Sequence, residues 1–268
     1  MLIETLRTIA NLPGLYHLRR AYYRRAFFHP NHRRGSRCWG TYENFAVAQT
    51  EARRLFGKAD YDEPLIVNNS LQVFMATNLF DWPVIFNLDR AIRDRGAMSI
   101  VDVGGHIGVK YYAFRPFLKF PPKFRWSVVD VPAMTSAGHA RRQELGAGDE
   151  LHFHEHAAEV GSADILFCSG SLQYIPAELN ALASSFGKPQ TILLNKIPVT
   201  SGKACVTLDN LGHARVPYRI YARDELEAQM RDMGYRELAR WNIPEMDFSI
   251  PFTRPLRRIS MGGMVWSL

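Results

Sequence analysis

A short stretch of the chain combines an acidic residue with three glycines. Residues 99–108 read Ser-Ile-Val-Asp-Val-Gly-Gly-His-Ile-Gly, so an apolar run ends in an acid and enters a turn; the residues of interest are Asp102, Gly104, Gly105 and Gly108. Glycines let the backbone approach a ligand closely, and the first N–H groups of a following helix are free to donate. The stretch predicts a ligand-binding turn between a strand and a helix; a tight turn without a ligand is the alternative.

The glycine spacing argues against one common class of cofactor site. Dinucleotide-binding turns carry the pattern Gly-x-Gly-x-x-Gly. Here Val103 stands two residues before Gly105, so the pattern is broken. A nicotinamide-dependent dehydrogenase is therefore disfavoured.

A second acid follows another apolar run. Asp130 comes after Trp126-Ser-Val-Val and lies 26 residues beyond Gly104. A carboxylate at the end of a strand can accept hydrogen bonds from both hydroxyls of a ribose. We therefore expect Asp130 to bind the ribose of a nucleoside cofactor; capping of the next helix is an alternative role that is compatible with the first.

The elements that would position these acids and glycines alternate along the second part of the chain. Apolar runs predict strands at 99–103, 125–131, 150–154, 163–168 and 190–195. Helices fit the gaps, including 109–118, 133–145 and 176–186. This alternation predicts an α/β domain whose mostly parallel sheet binds ligands at the carboxyl ends of its strands. After a helix at 222–233, strands at 235–241 and 258–266 predict an antiparallel C-terminal pair.

Helical spacing of apolar residues dominates the first part of the chain. It predicts an all-helical region, with helices at 2–12, at 15–28, from about residue 41, and at 82–95 behind a possible cap at Asp81. Three segments follow from this pattern: a basic amphipathic helical segment at 1–40, a helical accessory region at 41–97 and a catalytic domain at 98–268.

The motifs resemble those of class I S-adenosylmethionine-dependent methyltransferases. Asp102-x-Gly104 with Gly108 is similar to their first motif, with His106 in place of the middle glycine. The order of Trp39-Gly-Thr-Tyr-Glu-Asn-Phe-Ala, the glycine turn, Ser169-Gly-Ser-Leu-Gln-Tyr-Ile and Asn195-Lys-Ile-Pro resembles a group of bacterial methyltransferases encoded among genes for surface polysaccharides. With Thr207-Leu-Asp and Val216-Pro-Tyr-Arg-Ile-Tyr, the resemblance covers roughly residues 38–242. Lys196-Ile-Pro departs from the Arg-Thr-Pro that is more frequent in that group.

The resemblance implies a Rossmann-like sheet, S-adenosylmethionine as cofactor and O-methylation of a sugar or polysaccharide precursor. Beside the glycine turn and Asp130, it implies contacts from Ser169 and Gly170 to the methionine part of the cofactor, with Gln173 and Tyr174 facing the methyl group or the acceptor. Packing of Tyr174 on the next helix is the alternative. Two other functions stay open: a small-molecule O- or N-methyltransferase of secondary metabolism, and a non-catalytic binding protein with this fold.

Methylation of a hydroxyl also requires a group that removes its proton. The candidates are His106, in the glycine turn, and His213, between the fifth strand and the closing elements. His106 could instead shape the backbone near the cofactor. The alternating His152, His154 and His156 would share one face of a strand, but we expect no metal site there, because a polar face is common on an edge strand.

The positive charge of the chain is concentrated at its N-terminus. Residues 1–40 carry eight arginines and one acid, a net charge of +7 that equals the net charge of the whole chain. The rest is formally neutral, which gives no reason to expect nucleic acid at the catalytic domain. Arginine pairs interleaved with aromatic and aliphatic residues in 15–28 predict a helix that lies on an anionic membrane surface. Packing of this helix on its own protein and RNA binding are the alternatives.

Cysteine use and hydropathy bear on the cellular compartment. Cys38, Cys168 and Cys205 are widely spaced and suit neither a disulfide framework nor a zinc site. No apolar run has the length of a membrane-spanning helix, and the N-terminus lacks the pattern of a cleaved signal. These features predict a cytoplasmic protein with reduced thiols, placed by its basic segment at the inner face of the membrane.

Overall fold

The computed structural model describes residues 13–29, 38–57 and 75–268. The helices among them are α1 (Pro13–Phe27), α2 (Phe45–Phe56), α3 (Trp82–Arg93), α4 (Val109–Phe114), α5 (Pro132–Arg141), α6 (Leu179–Ser185) and α7 (Arg223–Asp232). Short 3-10 helices lie at Leu79–Asp81, Ala157–Glu159, Leu172–Tyr174 and Pro244–Met246. None of the described helices has the length and apolar character needed to cross a bilayer. The helix predicted at 2–12 lies outside the described residues.

The strands follow the predicted positions in the second part of the chain and add several others. They are β1 (Cys38–Tyr42), β2 (Ser99–Val103), β3 (Arg125–Val129), β4 (Leu151–His154), β5 (Ile165–Ser169), β6 (Thr191–Thr200), β7 (Cys205–Asn210), β8 (Arg215–Ala222), β9 (Arg236–Asn242), β10 (Phe248–Ile250) and β11 (Arg257–Ser267).

The chain forms two compact units. The larger comprises Tyr61–Lys203, Tyr221–Asp247 and Ile259–Leu268, and the smaller comprises Met1–Asp60, Ala204–Ile220 and Phe248–Arg258. These boundaries differ from the segment boundaries that the sequence predicted at residues 41 and 98. The functional division into three segments stays a prediction.

The larger unit contains a mixed sheet in the order β9-β11-β6-β5-β2-β3-β4. Strands β6, β5, β2, β3 and β4 are parallel, and β11 is antiparallel to both β6 and β9. The predicted α/β sheet with an antiparallel C-terminal pair is therefore confirmed. The chain order reverses between β2 and β5, and ligands bind at such a reversal, outside the carboxyl ends of the strands.

Apolar residues on both faces of the strands explain why this sheet is covered on both sides. One core cluster contains Ile100 of β2 and Phe167 of β5. The other contains the neighbouring residues Val101 and Leu166. Helices α3 and α4 contribute to the first cluster, and α6 and α7 to the second. Continuous apolar runs are typical of parallel strands buried on both faces.

The smaller unit is built on antiparallel pairing. Strand β1 pairs with β7, and β7 pairs with β8 through Arg215–Ile220. Trp39 of β1 packs with Phe27 of α1, Ala48 of α2 and Leu208 of β7. Hydrogen bonds between distant strands thus hold this unit together.

The expectation of an all-helical region before residue 98, with a helix from about residue 41, was wrong at β1. Cys38–Tyr42 is a strand because its partner β7 lies more than 160 residues away, where a local pattern cannot detect it. The helix begins later, at Phe45, where the Asn44 side chain accepts a hydrogen bond from Val47 N at 3.0 Å.

Candidate active site

The glycine turn begins where β2 ends, at the carboxyl edge of the parallel sheet. Gly104 and Gly108 both have positive φ angles, +71° and +85°, and Gly108 is the N-cap of α4. A Cβ atom on Gly104 would lie 2.3 Å from Cβ of Ser171. Both the backbone angle and the close approach of the β5 loop therefore require glycine at position 104.

Asp102 lies beneath this turn. Its carboxyl group is so close to Gly105 that a Cβ atom there would stand 2.6 Å from the carboxyl carbon. The indole N–H of Trp126 donates a hydrogen bond to Asp102 Oδ2 at 3.2 Å. Burial raises the pKa of Asp102 to about 7; the Trp126 hydrogen bond opposes this rise and the charge of Asp130 adds to it. The position identifies Asp102 as a support of the turn, and its contact with a cofactor stays a prediction.

Asp130 lies beside the turn, at the end of β3. Its Oδ2 accepts the backbone N–H of His106 at 2.7 Å, and its Oδ1 accepts that of Val131 at 2.7 Å. The backbone N–H of Gly104 donates to Val129 O at 2.8 Å, which joins the two strand ends. Both carboxylate oxygens of Asp130 therefore lie against backbone N–H groups at this end of the sheet. The structure thus brings Asp130 and the glycine turn together as the sequence predicted.

The two predicted bases lie in different units. His106 is buried in the glycine turn of the larger unit and has a positive φ of 60°. His213 lies in the turn between β7 and β8 of the smaller unit, where Leu211 N donates to Ala214 O at 3.1 Å. A base role for either residue stays a prediction.

The turn after β5 faces the glycine turn. The Ser171 hydroxyl donates to Val103 O, and Gly170 N donates to Asn195 O at 2.8 Å. Gln173 is 3% exposed, and its Oε1 has no hydrogen-bond partner among the described residues. A buried amide oxygen without a partner is unusual in a folded protein and is consistent with a site that receives a polar ligand group. Sequence reasoning selected Ser169, Gly170 and Gln173 but missed Ser171.

A buried ion pair lies at the same edge of the sheet. Lys110 Nζ is 2.8 Å from Asp81 Oδ2, and both side chains are buried. Asn195 Nδ2 is 3.4 Å from Asp81 Oδ1 and 3.2 Å from Ser169 Oγ, and its Oδ1 accepts from Trp241 Nε1 at 3.2 Å. Asp81 occupies the predicted N-cap position of α3, but its side chain makes no capping hydrogen bond to that helix. The sequence analysis had named Asp81, Ser169 and Asn195 for other reasons, and it did not predict that they meet each other and Lys110.

Lys196 extends this group of charges. Its backbone has a φ of +54°, and its side chain runs past Gly170, where a Cβ atom would lie 3.1 Å from Lys196 Cε. Burial, followed by the charge of Lys110, lowers the pKa of Lys196 to about 8, while Asp81 and Asp102 oppose this shift. Sequence reasoning noted Lys196 only as a departure from the related motif.

The histidines that alternate along the third predicted strand lie on and just after β4, which is the edge of the sheet in the larger unit. His154 Nδ1 is 3.6 Å from Glu159 Oε2, and burial is the main cause that lowers the pKa of both His152 and His154. Among the residues that the structure describes, no three His, Cys, Asp or Glu side chains are grouped as metal ligands.

Comparisons with known proteins agree on the fold. No model of a known protein family matches the chain, and no curated protein matches its sequence. The N-terminal domain of EvdMO1, solved in the presence of SAH and D-fucose, is 14% identical, covers 72% of this chain and 84% of its own, and has a TM-score of 0.51. A SAM-dependent methyltransferase from Thiobacillus denitrificans in complex with S-adenosyl-L-homocysteine is 15% identical, with coverages of 76% and 98% and a TM-score of 0.46.

The O-methyltransferase NcsB1 from neocarzinostatin biosynthesis, in complex with SAH and 1,4-dihydroxy-2-naphthoic acid, is 14% identical, covers 82% of this chain and 67% of its own, and has a TM-score of 0.47. At these identities the likeness concerns the fold. Together with the strand order and the glycine turn, the likeness to the EvdMO1 domain shows that the chain has a Rossmann-like α/β fold similar to that of this domain.

Proposed function

We propose that the protein is an S-adenosylmethionine-dependent O-methyltransferase that acts on a sugar or a polysaccharide precursor. One observation carries the proposal: the glycine turn after β2 and the carboxylate of Asp130 after β3 lie side by side where the strand order reverses. In sheets of this kind, that position receives the nucleoside part of a cofactor.

The polar groups around the turn fit this cofactor. The carboxylate of Asp130 lies beside the glycine turn, and a carboxylate at the end of a strand can accept hydrogen bonds from ribose hydroxyls. Oε1 of Gln173 is buried without a partner among the described residues and can accept an N–H or O–H of the cofactor. Gly104 has no side chain of its own, and its positive φ is one that glycine adopts readily, so the backbone of the turn can approach a ligand closely.

Bound S-adenosylmethionine supplies a methyl carbon that is attached to a sulfonium. The chain would contribute alignment of the acceptor with this carbon and removal of the acceptor's proton, since an in-line displacement depends mainly on proximity and geometry. Buried Asp81, Lys110 and Asn195, together with half-buried Lys196, lie at the carboxyl edge of the sheet, where such an acceptor would meet the methyl group.

Two observations favour a sugar acceptor. The sequence resembles methyltransferases encoded among surface-polysaccharide genes, and the domain of EvdMO1 with the same fold was solved with SAH and D-fucose. Both support a sugar as the acceptor class.

Calorimetry with S-adenosylhomocysteine tests the cofactor site. We expect the wild-type protein to bind, and Asp130→Ala to lose about 1.5–3 kcal/mol of binding free energy, because charge-assisted hydrogen bonds to the ribose disappear. Asp149→Ala is the matched control, since this carboxylate is fully exposed, and it should bind as the wild type does. Absence of binding by the wild-type protein would refute the methyltransferase proposal, and unchanged affinity of Asp130→Ala would remove that residue from the site.

A transfer assay tests the acceptor class. Radiolabelled methyl groups should pass from S-adenosylmethionine to a member of a panel of D-fucose, nucleotide sugars and lipid-linked glycans. Transfer to dihydroxylated aromatic acids alone would contradict the sugar proposal and favour small-molecule methylation.

We further propose that α1 contacts an anionic membrane surface, which would bring the enzyme near lipid-linked acceptors. On this helix, Leu15, Leu18 and Tyr22 form a stripe with exposures of 37%, 67% and 76%. The opposite face packs within the smaller unit, where Tyr16 Oη donates to Phe252 O at 3.1 Å. Arginines beside an exposed apolar stripe suit a helix that lies at the level of lipid head groups.

Vesicle sedimentation tests this contact. The full-length protein should pellet with anionic vesicles at low salt, and the double variant Leu18→Ser/Tyr22→Ser should pellet several-fold less, because its apolar contact with the bilayer is lost. Leu256→Ser is the control, since Leu256 is also an exposed leucine of the smaller unit but lies off the helix. Equal pelleting of wild type and double variant would contradict the proposal, and retention on RNA with none on vesicles would favour nucleic-acid binding.

A further inference from the structure

An irregularity in strand β6 changes the direction of one side chain. Leu194 of β6 pairs with Met264 of β11, and Ile197 of β6 pairs with Gly262. Two residues of β6 therefore lie opposite a single residue of β11 between these pairs. The extra residue lies at positions 195–196, and Lys196 there has a φ of +54°. A positive φ is unfavourable for a residue with a side chain, and bulges near active sites commonly redirect a side chain. The bulge at Lys196 therefore points to a function for this side chain.

The surroundings of Lys196 combine a narrow space with several charges. The missing side chain of Gly170 leaves room for Lys196 Cε, and Lys196 Nζ lies 5.9 Å from the centre of the Phe80 ring. The charged groups that act on the amine are Lys110 of α4, Asp81 of the first 3-10 helix and Asp102 of β2. Gly170 lies in the turn after β5 and Asp102 supports the glycine turn, so the amine lies beside the first turn and is influenced by the carboxyl group beneath the second.

We propose that Lys196 is the general base that removes the proton from the acceptor hydroxyl; this inference rests on the proposed methyl transfer. The proton of the hydroxyl passes to the lone pair of Lys196 Nζ. The hydroxyl oxygen forms a bond to the methyl carbon while the bond between that carbon and sulfur breaks, and the sulfonium becomes a neutral thioether. The ammonium of Lys196 then returns its proton to water, so charge and atoms balance over the cycle.

The chemistry of lysine in this place agrees with the role. An amine must be neutral to accept a proton, and an ordinary lysine, with a pKa of about 10.4, is almost entirely charged at neutral pH. Burial and the neighbouring charge of Lys110 lower the pKa of Lys196 to about 8, so an appreciable fraction is neutral at pH 7.5–8. A base with a pKa near the working pH is the most effective in proton transfer.

The test uses the full-length protein and needs no acceptor. Acetic anhydride modifies only neutral amines, and mass spectrometry follows acetylation of Lys196 from pH 6 to 10.5, with exposed Lys119 as an internal comparison. We expect half-maximal modification of Lys196 near pH 8. With S-adenosylmethionine bound, this midpoint should be at least about half a pH unit lower than with S-adenosylhomocysteine, because a nearby sulfonium repels the ammonium.

The outcomes separate the two proposals. A midpoint above about pH 9.5, or the same midpoint with either compound bound, would overturn the role of Lys196 and leave the methyltransferase proposal intact. Failure of both compounds to bind would refute the proposed methyl transfer and the base together.

Substitutions of the neighbouring charges give a second check. Lys110→Met should raise the midpoint for Lys196, because a like charge is removed, and Asp81→Asn should lower it, because an opposite charge is removed. Circular dichroism shows whether these variants are folded. Unchanged midpoints in both folded variants would show that the charges of Lys110 and Asp81 do not affect the pKa of Lys196, which would contradict the proposal.

Turnover distinguishes a base from a positive charge that merely binds the acceptor. With the panel sugar that the wild type methylates fastest, Lys196→Met should lower kcat at pH 8 by about 10²-fold or more. Lys196→Arg keeps the charge but cannot act as a base, since guanidinium stays protonated. It should therefore show the same loss, with S-adenosylhomocysteine affinity unchanged. Recovery of kcat by Lys196→Arg would overturn the base role, whereas Lys119→Met, an exposed control, should match the wild type.

Discussion

Each of the two units contains cationic side chains that are largely enclosed by protein, and the groups that these cations contact differ between the units. In the smaller unit, Arg215 is 0% exposed and donates hydrogen bonds to four backbone carbonyls, those of Phe27, Gly212, Ala214 and His29. Its guanidinium also lies over the rings of Phe27 and Phe56, at 5.1 and 4.2 Å. Burial lowers the pKa of Arg215 to about 10 against the influence of Asp209, so the side chain stays charged at neutral pH.

In the larger unit, buried Lys110 and half-buried Lys196 lie near carboxylates and near the turn after β5. Lys110 is paired with Asp81 at 2.8 Å, and Lys196 lies close to the turn at Gly170. The guanidinium of Arg215 donates its hydrogen bonds to backbone carbonyls of the smaller unit. The amine of Lys196, by contrast, changes its charge near pH 8. The comparison teaches that the type of partner, rather than burial alone, separates a structural cation from one that can take part in a reaction.

Arg215→Met should have the largest effect on stability. It leaves several buried carbonyls without donors, and we expect the free energy of unfolding to fall by about 3–5 kcal/mol. Denaturant unfolding followed by tryptophan fluorescence measures the loss. Arg90→Ala, which removes an exposed arginine that pairs with Asp94, should change stability by about 0.5 kcal/mol or less. A loss below about 1 kcal/mol in Arg215→Met would show that Arg215 is not a structural cation.

Gly170→Ala should have an intermediate effect and act on Lys196. The new Cβ would lie 3.1 Å from Lys196 Cε at a backbone φ of +75°, so we expect a loss of about 2 kcal/mol and a shifted acetylation midpoint of Lys196. Gly161→Ala has a nearly identical φ of +72° with no atom within 4 Å of the new Cβ. It reports the backbone cost alone and should leave the Lys196 midpoint unchanged. Equal behaviour of the two variants would mean that Gly170 does not control the space of Lys196.

Lys196→Met should have the smallest effect, and we expect it to be stabilising at pH 7. A lysine whose pKa is lowered in the folded state contributes stability above its unfolded value, near 10.4, and loses it as pH falls through about 8. At pH 7 the wild type therefore bears the cost of a charge in a crowded site, and the variant should gain about 1–2 kcal/mol after allowance for its partial exposure. Thermal unfolding from pH 7 to 10.5 should show this advantage shrinking above pH 8. An advantage that is constant with pH would contradict the origin assigned to it.

The local sequence around the candidate site was informative because the chemistry there is concentrated in short segments. The strand predicted at 99–103 has the same limits in the structure, and Asp130 lies beside the glycine turn as expected. Apolar runs of this length can be identified as buried strands, and parallel strands place their carboxyl ends at one edge. The sheet and the two turns that converge on it could therefore be predicted before any coordinates.

Other features depend on contacts between distant parts of the chain. The start of the predicted helical region is a strand in the structure, because β1 pairs with β7. Asp81 and Asn195, which are 114 positions apart in sequence, are likewise in contact. In the sequence, Lys196 was noted only as a departure from a related motif, just after the strand predicted at 190–195. The extra residue in β6 and the space at Gly170 give its side chain its position. Hydropathy periods report which side of an element is buried. The partner that each buried charge meets is decided by topology, because the fold alone brings such distant residues together.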